Sequence, residues 1–399
     1  MKLKSLIYIF LFLLVIFLIG YFVYKKVGDF RPAFLPTSNG IVKEFEKAQE
    51  TIQTGEPVDF PLKITDGFEI SLFAKDLTNP RDIEISPEGY VLVSSPATAK
   101  VWALFDRNKD GIEENRFLVV SDLAGAHGIA FYEDKLYVAG ETALNRYHWT
   151  SDAQASFDKK ILDLPAGGRH STRSIDFDEK GNLYVSLGST CDTCFENHPW
   201  LAAVIATNKD GDNPRVYSKG LRNAVFIKYD TITNKLWATE MGRDFLGDDL
   251  PPDEVNILQD GGNYGWPVCY GDKVYDTVFN QLTSKYCENT IAPAFNIQAH
   301  SAPLGLNFIN SAQFPDSWQG DLLVSYHGSW NRSVPVGYKV VHLIKQGEKI
   351  VREEDFITGF LQGRQALGRP VDLEFDNQGS LLISDDKAGV IYKVTRSQI

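Results

Sequence analysis

The chain has 399 residues, 43% of them hydrophobic, and a net charge of −12. That length suffices for one large domain or for several smaller ones. The acidic balance disfavours nucleic acid as a partner, because nucleic-acid-binding proteins carry a basic face, and the 32 glycines and 12% aromatic residues fit an all-β protein rich in tight turns.

Residues 5–24 form an uncharged apolar run that is long enough to cross the ~30 Å hydrocarbon core of a membrane as a helix. The run ends in the bulky residues YFVY, whereas a cleaved signal peptide ends in a small-x-small site. We therefore predict an uncleaved, single-pass transmembrane helix in residues 1–26, followed by a stalk in residues 27–61. Lysines flank the run on both sides, so charge leaves its orientation open.

One unit recurs six times between Asn79 and Val394, mostly as an alternating apolar strand, an acidic or glycine-bearing turn and a second strand. Repeats of roughly 40–50 residues that each form a small β-meander are typical of a propeller. We predict an all-β, six-bladed β-propeller over residues 62–399, with the segment before Asn79 as an outer strand that closes the ring. An insertion, residues 243–300, separates the fourth copy from the fifth. The copies begin at residues 80, 127, 173, 221, 303 and 369.

Basic side chains recur near the start of these units, where the innermost strands of a propeller converge on its axis. The recurring residues are Arg81, Arg173, Arg222 and Arg369. Guanidinium groups match carboxylates through paired hydrogen bonds, so the set predicts a site for an anion. The alternative is a lattice of these arginines with Asp82, Asp176 and Asp372, although Asp82 and Asp372 can equally pair between blades.

The first repeat contains DRNKDG, which matches the start of a calcium loop, with oxygen-bearing side chains at alternate positions and a glycine for the sharp turn. Its candidate ligands are Asp106, Asn108, Asp110 and Glu114. Position twelve of an EF-hand is Phe117 here, so the segment is not that motif. A structural calcium site and an ordinary hairpin remain open.

The third repeat opens with GGRHSTR, residues 167–173. The glycines allow a tight turn into the strand, and His170 stands just ahead of it. A neutral imidazole beside a ring of arginines can take a proton from a substrate hydroxyl near pH 7, so we predict that His170 is a general base. The alternative is a histidine that is hydrogen-bonded within its loop.

The four cysteines, an even number, all fall in predicted loops: Cys191, Cys194, Cys269 and Cys287. We predict two structural disulfides, which place the domain outside the cytoplasm. A redox or metal pair at Cys191 and Cys194 is one alternative, and four unpaired thiols are another.

The insertion begins with EMGRD and DDLPPDE, residues 240–244 and 248–254. Hard cations bind several oxygens, and carbonyls freed by glycine and proline turns add to carboxylates such as Asp253. We predict a calcium site here, with a solvated acidic loop as the alternative.

Residues 326–332, YHGSWNR, end a predicted strand of the fifth blade near the pocket mouth. They bring a histidine, an indole ring and Arg332 together, and His300 approaches the same blade. An aromatic plane beside a guanidinium suits a flat, charged ligand. The alternative is an aromatic strand end packed into the blade.

Six segments, in the order GGRHSTRS, SKGLRNA, EMGRDFLGDDLPPDEVNIL, GGNYGWP, YHGSWNR and GRPVDLEF, resemble the quinoprotein sugar dehydrogenases. The resemblance covers roughly residues 65–395 and lies nearer the sorbosone and pyranose branch than the soluble glucose dehydrogenases. Members of this glucose/sorbosone dehydrogenase family are six-bladed propellers that hold pyrroloquinoline quinone (PQQ) and calcium.

The resemblance implies a role for each matching residue. His170 corresponds to the base that takes the proton of the sugar's C1 hydroxyl while a hydride passes to the quinone, and Arg222 and Asn223 lie beside the quinone carbonyls. The carbonyls of Gly242 and Arg243 correspond to calcium ligands. The further cofactor-binding candidates are Arg81, Arg173, His300, Arg332, Arg364 and Arg369.

The chain departs from the family's pattern at two positions. Ser189 stands where the glucose branch has an aspartate that supports the histidine, which leaves open whether Ser189 or Asp176 orients His170. Met241 replaces the glutamine before the calcium-binding glycine. These changes bear on the substrate more than on the cofactor.

The sequence thus predicts a membrane-anchored, exocytoplasmic enzyme that oxidises a sugar at C1 with PQQ and calcium. The chain has no C-x-x-C-H haem motif, so we expect a separate electron acceptor, a membrane quinone or a cytochrome. The alternatives are a calcium-dependent lactonase, which would need carboxylate side chains on the axis, and a non-catalytic propeller that binds a ligand.

Overall fold

The computed structural model describes residue 58 and residues 61–166, 168–279 and 281–397. The predicted anchor and most of the predicted stalk lie outside this range. Among the described residues, no helix is long and apolar enough to cross a membrane. The described chain forms a six-bladed β-propeller, which confirms the predicted fold class.

Each blade is an antiparallel sheet of four main strands. In the described chain, blades 1 and 2 consist of Ile83–Ile85, Val91–Ser95, Lys100–Phe105 and Asn115–Val120, and of Ile129–Tyr132, Lys135–Ala139, Ala143–Trp149 and Ala155–Asp163. Blades 3 and 4 consist of Ile175–Phe177, Asn182–Leu187, Ala203–Asn208 and Arg215–Lys219, and of Ile227–Asp230, Lys235–Glu240, Asp253–Leu258 and Phe295–Ile297. Blades 5 and 6 consist of Pro303–Phe308, Leu322–Tyr326, Lys339–Gln346 and Lys349–Thr358, and of Pro370–Phe375, Leu381–Asp385, Val390–Arg396 and Phe68–Ala74.

Shorter strands, turns and one helix extend the blades or lie in the loops between strands. Lys63–Ile64 extends blade 5, and Gly262–Asn263 pairs in parallel with the outer strand of blade 3. The remaining described elements are the strand pairs Cys269–Tyr270 with Val274–Tyr275 and Leu361–Gln362 with Gln365–Ala366, the α-helix Lys285–Glu288, and the 3-10 turns Pro96–Thr98, Thr277–Phe279 and Asp316–Trp318.

The ring closes in blade 6, where the two ends of the domain meet. Phe68–Ala74 pairs antiparallel with Val390–Arg396, with Ile70 opposite Val394. The closing outer strand predicted from sequence is therefore confirmed. Because this pairing joins the two ends of the domain in one blade, the six inner strands are held around one axis.

The core lies between the blades. Among the described residues, six buried apolar clusters each join two neighbouring sheets and together pass around the whole ring. Trp237 of blade 4, fully buried, packs edge-on against Phe308 of blade 5 at 5.7 Å between ring centroids. Burying one large apolar side chain contributes roughly 1.5–3 kcal/mol, so the alternating strands stabilise the ring through these contacts.

Aspartates near the axis connect each inner strand to the next blade. Asp372 of blade 6 accepts a hydrogen bond from the backbone N–H of Ile83 in blade 1 at 2.8 Å, and Asp82 accepts one from Ile129 in blade 2 at 3.2 Å. Asp176 of blade 3 contacts a backbone N–H of blade 4 in the same way, at 2.6 Å. The interpretation that Asp82 and Asp372 pair between blades is correct, and the arginine–aspartate lattice is not formed by these residues.

Farther along the inner strands the axis is lined by carboxylates as well as by one lysine, contrary to the purely cationic ring expected from sequence. Glu84, Glu374 and Lys228 share a small cavity of about 20 Å³ with the inter-blade aspartates. Lys228 Nζ lies 2.6 Å from Glu374. Burial raises the pKa of Asp82 and of Glu84 above their ordinary values, and neighbouring carboxylates raise both further.

Replacing Asp372 with alanine would remove the acceptor of the buried Ile83 N–H. A buried donor without a partner costs about 1–3 kcal/mol, so we expect Asp372→Ala to lower the free energy of unfolding by that amount. Asp163→Ala is the control, because the Asp163 side chain is 80% exposed and its loss should change stability by less than about 0.5 kcal/mol. Denaturant unfolding measures both variants, and equal effects would contradict an inter-blade role for Asp372.

Candidate active site

A cavity of about 330 Å³ lies at the end of the axis where the inner strands begin. It collects residues from blades 3 to 6 and from the insertion. Its lining is Arg169, His170, Arg222, Asn223, Met241, Gly242, Asp244, Asp253, His300, Ala302, His327, Gly328, Trp330, Asn331 and Arg369. The sequence predictions for His170, Arg222, Asn223, Gly242, Asp253, His300 and Arg369 therefore converge on one place.

A larger groove, of about 570 Å³, lies between blades 3 and 4 and contains none of the predicted site residues. Its polar groups mostly satisfy one another: Arg215 pairs with Asp260 at 2.5 Å, and Asn208 donates to Asp212 at 3.1 Å. Because its polar groups are already paired and its aromatic residues are partly covered, we assign the chemistry to the smaller axial cavity.

His170 is held by Ser189. Its Nδ1 lies 2.9 Å from Ser189 Oγ and 3.0 Å from the Ser189 carbonyl oxygen, and Ser189 Oγ donates to the Cys191 carbonyl at 2.7 Å. A carbonyl only accepts and the hydroxyl proton is already engaged, so Nδ1 carries the imidazole proton and Nε2 carries the lone pair. This answers the open question, since Asp176 is bonded to blade 4 instead.

The imidazole of His170 is kept neutral. Burial, which has the largest effect, and the nearby Arg222 and Arg169 guanidiniums together lower its pKa to about 3, against the opposing effect of the Ser189 backbone hydrogen bond. The ring is therefore a hydrogen-bond acceptor at Nε2 throughout the physiological pH range.

Arg222 is fixed in one orientation by oxygen acceptors. Its Nη2 donates to Asp192 Oδ1 at 2.8 Å and to Asp244 Oδ2 at 3.1 Å, while its Nε donates to the Asp192 carbonyl at 3.1 Å. The Arg222 side chain is only 4% exposed. A buried, paired guanidinium of this kind presents a fixed positive edge to the cavity.

Asp244 is the point at which several cavity residues meet. It accepts from Arg169 at 2.5 Å and from Asn331 Nδ2 at 2.8 Å, in addition to Arg222, and its backbone N–H donates to Asp192 at 2.9 Å. Within the described chain the other amide atom of Asn331, Oδ1, is buried without a hydrogen-bond partner. Sequence reasoning missed Asp244, Asp192 and Asn331, although EMGRD and YHGSWNR contain two of them.

The opposite wall of the cavity contains a second charged cluster. His327 Nε2 lies 2.8 Å from Asp386, and Arg81 Nη1 lies 2.7 Å from the same carboxylate. Arg369 donates from Nε to the His327 carbonyl at 3.0 Å. Burial opposes ionisation of Asp386, but His327 and the two guanidiniums outweigh it and hold the pKa of Asp386 below its ordinary value. Arg81 thus lies behind the lining and supports it.

Besides Arg81, three predicted cofactor-binding arginines lie outside the cavity lining. Arg173 is fully buried and donates to the backbone carbonyls of His170 and Pro165, at 2.9 and 3.1 Å. Arg332 donates to the Asp248 carbonyl and to the Asp249 carboxylate, and Arg364 donates to the Ser333 carbonyl at 2.7 Å. Each guanidinium binds loop carbonyls or carboxylates, so direct cofactor contact stays a prediction for these three residues.

The predicted calcium segment around Gly242 and Asp253 lies at the cavity. Gly242 lines the cavity, but both Asp253 oxygens accept backbone N–H groups, from Gly242 at 2.9 Å and Ala302 at 2.8 Å. Arg243 pairs with Asp276 at 2.9 Å, and His300 Nε2 donates to the Gly247 carbonyl at 2.8 Å. The Asp253 side chain therefore holds the loop in place.

The predicted calcium loop at Asp106 lies in blade 1, apart from the cavity. Its oxygens accept hydrogen bonds from its own backbone: Asp106 from Asp110 and Gly111, Asn108 from Asp110, and Glu114 from Asn108. Asp106, Asp110 and Glu114 do not approach one another at metal-ligand spacing in the described structure. The calcium site here stays a prediction, and the hydrogen bonds within the turn equally fit the ordinary hairpin.

Both predicted disulfides are present, as Cys191–Cys194 and Cys269–Cys287. In the part of the chain that the structure describes, the side chains spaced like metal ligands are Cys191, Cys194 and Glu196. Their sulfurs are bonded to each other, so the metal-pair alternative does not hold for this state.

The sequence profile of the TrAA12-like family matches residues 62–397. A protein of Borreliella burgdorferi, described as uncharacterised, is 29% identical over 369 residues, which cover 86% of this chain and 93% of that protein. A pyrroloquinoline quinone-dependent sugar dehydrogenase of Hypocrea jecorina is 24% identical over 414 residues, 88% of this chain and 93% of that protein.

Among solved structures, the holo form of the PQQ domain of pyranose dehydrogenase from Coprinopsis cinerea superposes with a TM-score of 0.75. It is 21% identical and the superposition covers 86% of this chain and 98% of that one. At this identity the likeness concerns the fold, and it agrees with the six-bladed ring described above.

Asp244→Ala would leave Arg222 and Asn331 buried without their shared acceptor. Removing one partner of a buried ion pair costs about 3–5 kcal/mol, so we expect a loss of stability of that order, measured by denaturant unfolding. Asp249→Ala is the matched control: Asp249 also pairs with an arginine, but its side chain is 86% exposed, and exposed pairs contribute about 0–1 kcal/mol. A loss below about 1 kcal/mol for Asp244→Ala would show that the hydrogen bonds accepted by Asp244 do not stabilise the fold.

Proposed function

The chain belongs to the TrAA12-like family, and on that premise we propose that it is an oxidoreductase that oxidises a sugar at C1 with PQQ as cofactor. The observation that carries the proposal is the neutral His170, with its Nε2 lone pair, among the guanidiniums of one axial cavity. The named sugar dehydrogenase relative supports the same reading.

The residues present fit PQQ, a flat quinone that carries three carboxylates. Arg169, Arg222 and Arg369 line the cavity, so it has positive charge on two walls. The buried, unpartnered Asn331 Oδ1 is an additional polar atom that a ligand would satisfy. Arg222 is 4% exposed and held by two aspartates, and the resemblance places it beside the quinone carbonyls, so we assign it to polarising one of them. We assign Arg169, whose side chain is 35% exposed, and Arg369 to the carboxylates.

When bound, PQQ supplies a two-electron acceptor for the carbon that loses its hydride. His170 Nε2 takes the proton of the substrate hydroxyl, and Ser189 keeps the imidazole in the tautomer that leaves Nε2 free to do so. A base with a pKa near 3 is weak, but His170 becomes more basic when an anion occupies the cavity, because the anion offsets the positive potential of Arg222 and Arg169. Arg222 then places positive charge where negative charge develops.

For calcium, we assign the backbone carbonyls of Gly242 and Arg243, as the resemblance implies. Within the described residues no group of carboxylates converges there, so the ion would depend on oxygens of the cofactor for the rest of its coordination shell. Calcium would supply Lewis acidity at the quinone. We therefore expect calcium and PQQ to bind together.

The predicted location belongs to the same proposal. The apolar run of residues 5–24 supports a membrane anchor, and the two disulfides support an exocytoplasmic domain. Electrons would pass to a separate acceptor, a membrane quinone or a cytochrome.

Reconstitution with PQQ and calcium tests the function. We expect dye reduction with at least one aldose, and His170→Asn should lower kcat by about 10²–10⁴-fold because it removes the base. His148→Asn is the matched control, since His148 is 53% exposed on blade 2 and should retain full turnover. Hydrolysis of lactones without PQQ would favour the lactonase alternative, and no turnover of either kind would favour a non-catalytic propeller.

The protonation of His170 provides a second prediction. Its folded pKa of about 3 lies below the ordinary 6.5, so the imidazole stays neutral in the folded protein as the pH falls through 6.5. The unfolded chain binds a proton there, so the free energy of unfolding decreases progressively as the pH falls from 6.5 to about 3. In NMR titration of protein without cofactor, the His170 resonances, assigned with His170→Asn, should not move between pH 5 and 8. Addition of PQQ should shift the midpoint upward. A midpoint near 6.5 before addition would contradict the electrostatic account.

A further inference from the structure

The disulfide Cys191–Cys194 closes a four-residue ring, CDTC, directly beside the cavity. The Cys191 carbonyl accepts the Ser189 hydroxyl at 2.7 Å. Asp192, the next ring residue, accepts from Arg222 through both its carbonyl oxygen, at 3.1 Å, and its carboxylate, at 2.8 Å. The ring therefore contacts the residues that orient both the proposed base and the proposed polarising arginine.

The contact through Ser189 bears on the tautomer of His170. Ser189 has one hydroxyl proton, and the Cys191 carbonyl engages it, which leaves Oγ as an acceptor for His170 Nδ1–H. If the carbonyl moves away, the Ser189 proton is free to rotate toward Nδ1. The hydroxyl then competes with the Ser189 carbonyl, which lies 3.0 Å from Nδ1 and still accepts its proton, so the share of molecules with the proton on Nε2, where the base needs its lone pair, rises.

The contact through Asp192 bears on Arg222 and on the loop across from it. The Asp192 carboxylate also accepts the backbone N–H of Asp244 at 2.9 Å, and the Asp192 carbonyl accepts the indole N–H of Trp266 at 3.2 Å. The short Cys191–Cys194 segment thus contacts the start of blade 4 and two points of the insertion. Loosening the ring would release several site contacts at once.

The two disulfides differ in access. Both cysteines of the ring are partly exposed, whereas Cys269 and Cys287 are 4% and 2% exposed and belong to a buried apolar cluster. A thiolate must reach a sulfur to exchange with it, so an external reductant will reach the ring first. The residue after the ring, Phe195, is 61% exposed, so the ring lies at the surface.

The Cys191–Cys194 disulfide contributes little to the stability of the fold. Its cysteines are separated by 3 positions, against 18 for the second pair, and closing a short loop restrains the unfolded chain less than closing a long one. None of the six inter-blade clusters contains Cys191 or Cys194. Reducing the Cys191–Cys194 disulfide should therefore disturb the active site while the propeller stays folded.

We propose that the Cys191–Cys194 disulfide is a redox-sensitive positioning element of this active site, and that Asp192 is a positioning residue for Arg222. In the switching step an external dithiol breaks the S–S bond. The dithiol is oxidised to its own disulfide, and its two electrons and two protons yield two cysteine thiols. The reduced loop releases the Cys191 carbonyl and Asp192, and activity falls. This inference rests on the proposed function for its activity readout alone.

The experiment reduces the full-length protein with dithiothreitol, and alkylation with mass spectrometry identifies the disulfide that opens. We expect Cys191 and Cys194 to be alkylated first. In protein without cofactor, ¹⁵N NMR of His170 should then show protonation shifting from Nδ1 toward Nε2, with the unfolding midpoint changed by only a few degrees. With PQQ and calcium bound, kcat should fall by roughly 10-fold or more, since misplacing a catalytic group by about 1 Å can cost about 100-fold.

Variants separate the ring from the rest of the protein. The double variant Cys191→Ser/Cys194→Ser should reproduce the reduced state and no longer respond to dithiothreitol, whereas Cys269→Ser/Cys287→Ser should keep the response. Asp192→Asn, which retains a carbonyl acceptor for Arg222, should preserve more activity than Asp192→Ala. Should either double variant fail to fold, reduction of the wild-type protein still decides the question.

Unchanged His170 signals in protein whose ring is demonstrably reduced would overturn the proposal, as would unchanged kcat. A missing turnover in the oxidised protein would instead refute the proposed function, because the NMR readout requires neither cofactor nor substrate.

Discussion

The pairing of Phe68–Ala74 with Val390–Arg396 joins the two ends of the propeller, and the arrangement of the inner strands around the axis depends on it. Because this pairing closes the ring, the apolar contacts between blades can continue from blade 6 to blade 1, and the inner strands must converge. This convergence gives the axis two regions that differ in their charged side chains. Backbone N–H groups and Lys228 balance carboxylates in the interior, and guanidiniums line the open end.

At that open end, the buried charges are organised by acids that sequence inspection overlooks. Asp192 and Asp244 hold Arg222, and Asp386 holds Arg81 and His327. Buried cations without such partners would be costly. The same acids offset the mutual repulsion of the arginines and fix their orientation, so the cavity keeps N–H donors available for a flat anion. His170 stays neutral in this field, and its own supporting residue is a hydroxyl rather than a carboxylate.

The sequence predicted the fold and the closing strand, because hydrophobic alternation and repeat spacing are local signals and the strands form where these signals predict them. It predicted the disulfides because the cysteines are even in number and fall in predicted loops. It also located His170, Arg222 and Arg369. Arg173 shows the limit of that reasoning: equivalent positions in a repeat need not have equivalent surroundings, and the loop before blade 3 folds over this guanidinium. Asp192 could not be found, since its role depends on a disulfide ring and on residues far apart in sequence.

The central claim is that this axial cavity is a cradle for an anionic quinone. Calorimetric titration of the purified protein with PQQ in the presence of calcium tests it most directly. The account predicts one molecule bound per chain, with affinity that falls as salt increases and falls further in Arg369→Ala. Binding that is absent, or that is indifferent to both salt and Arg369, would contradict it.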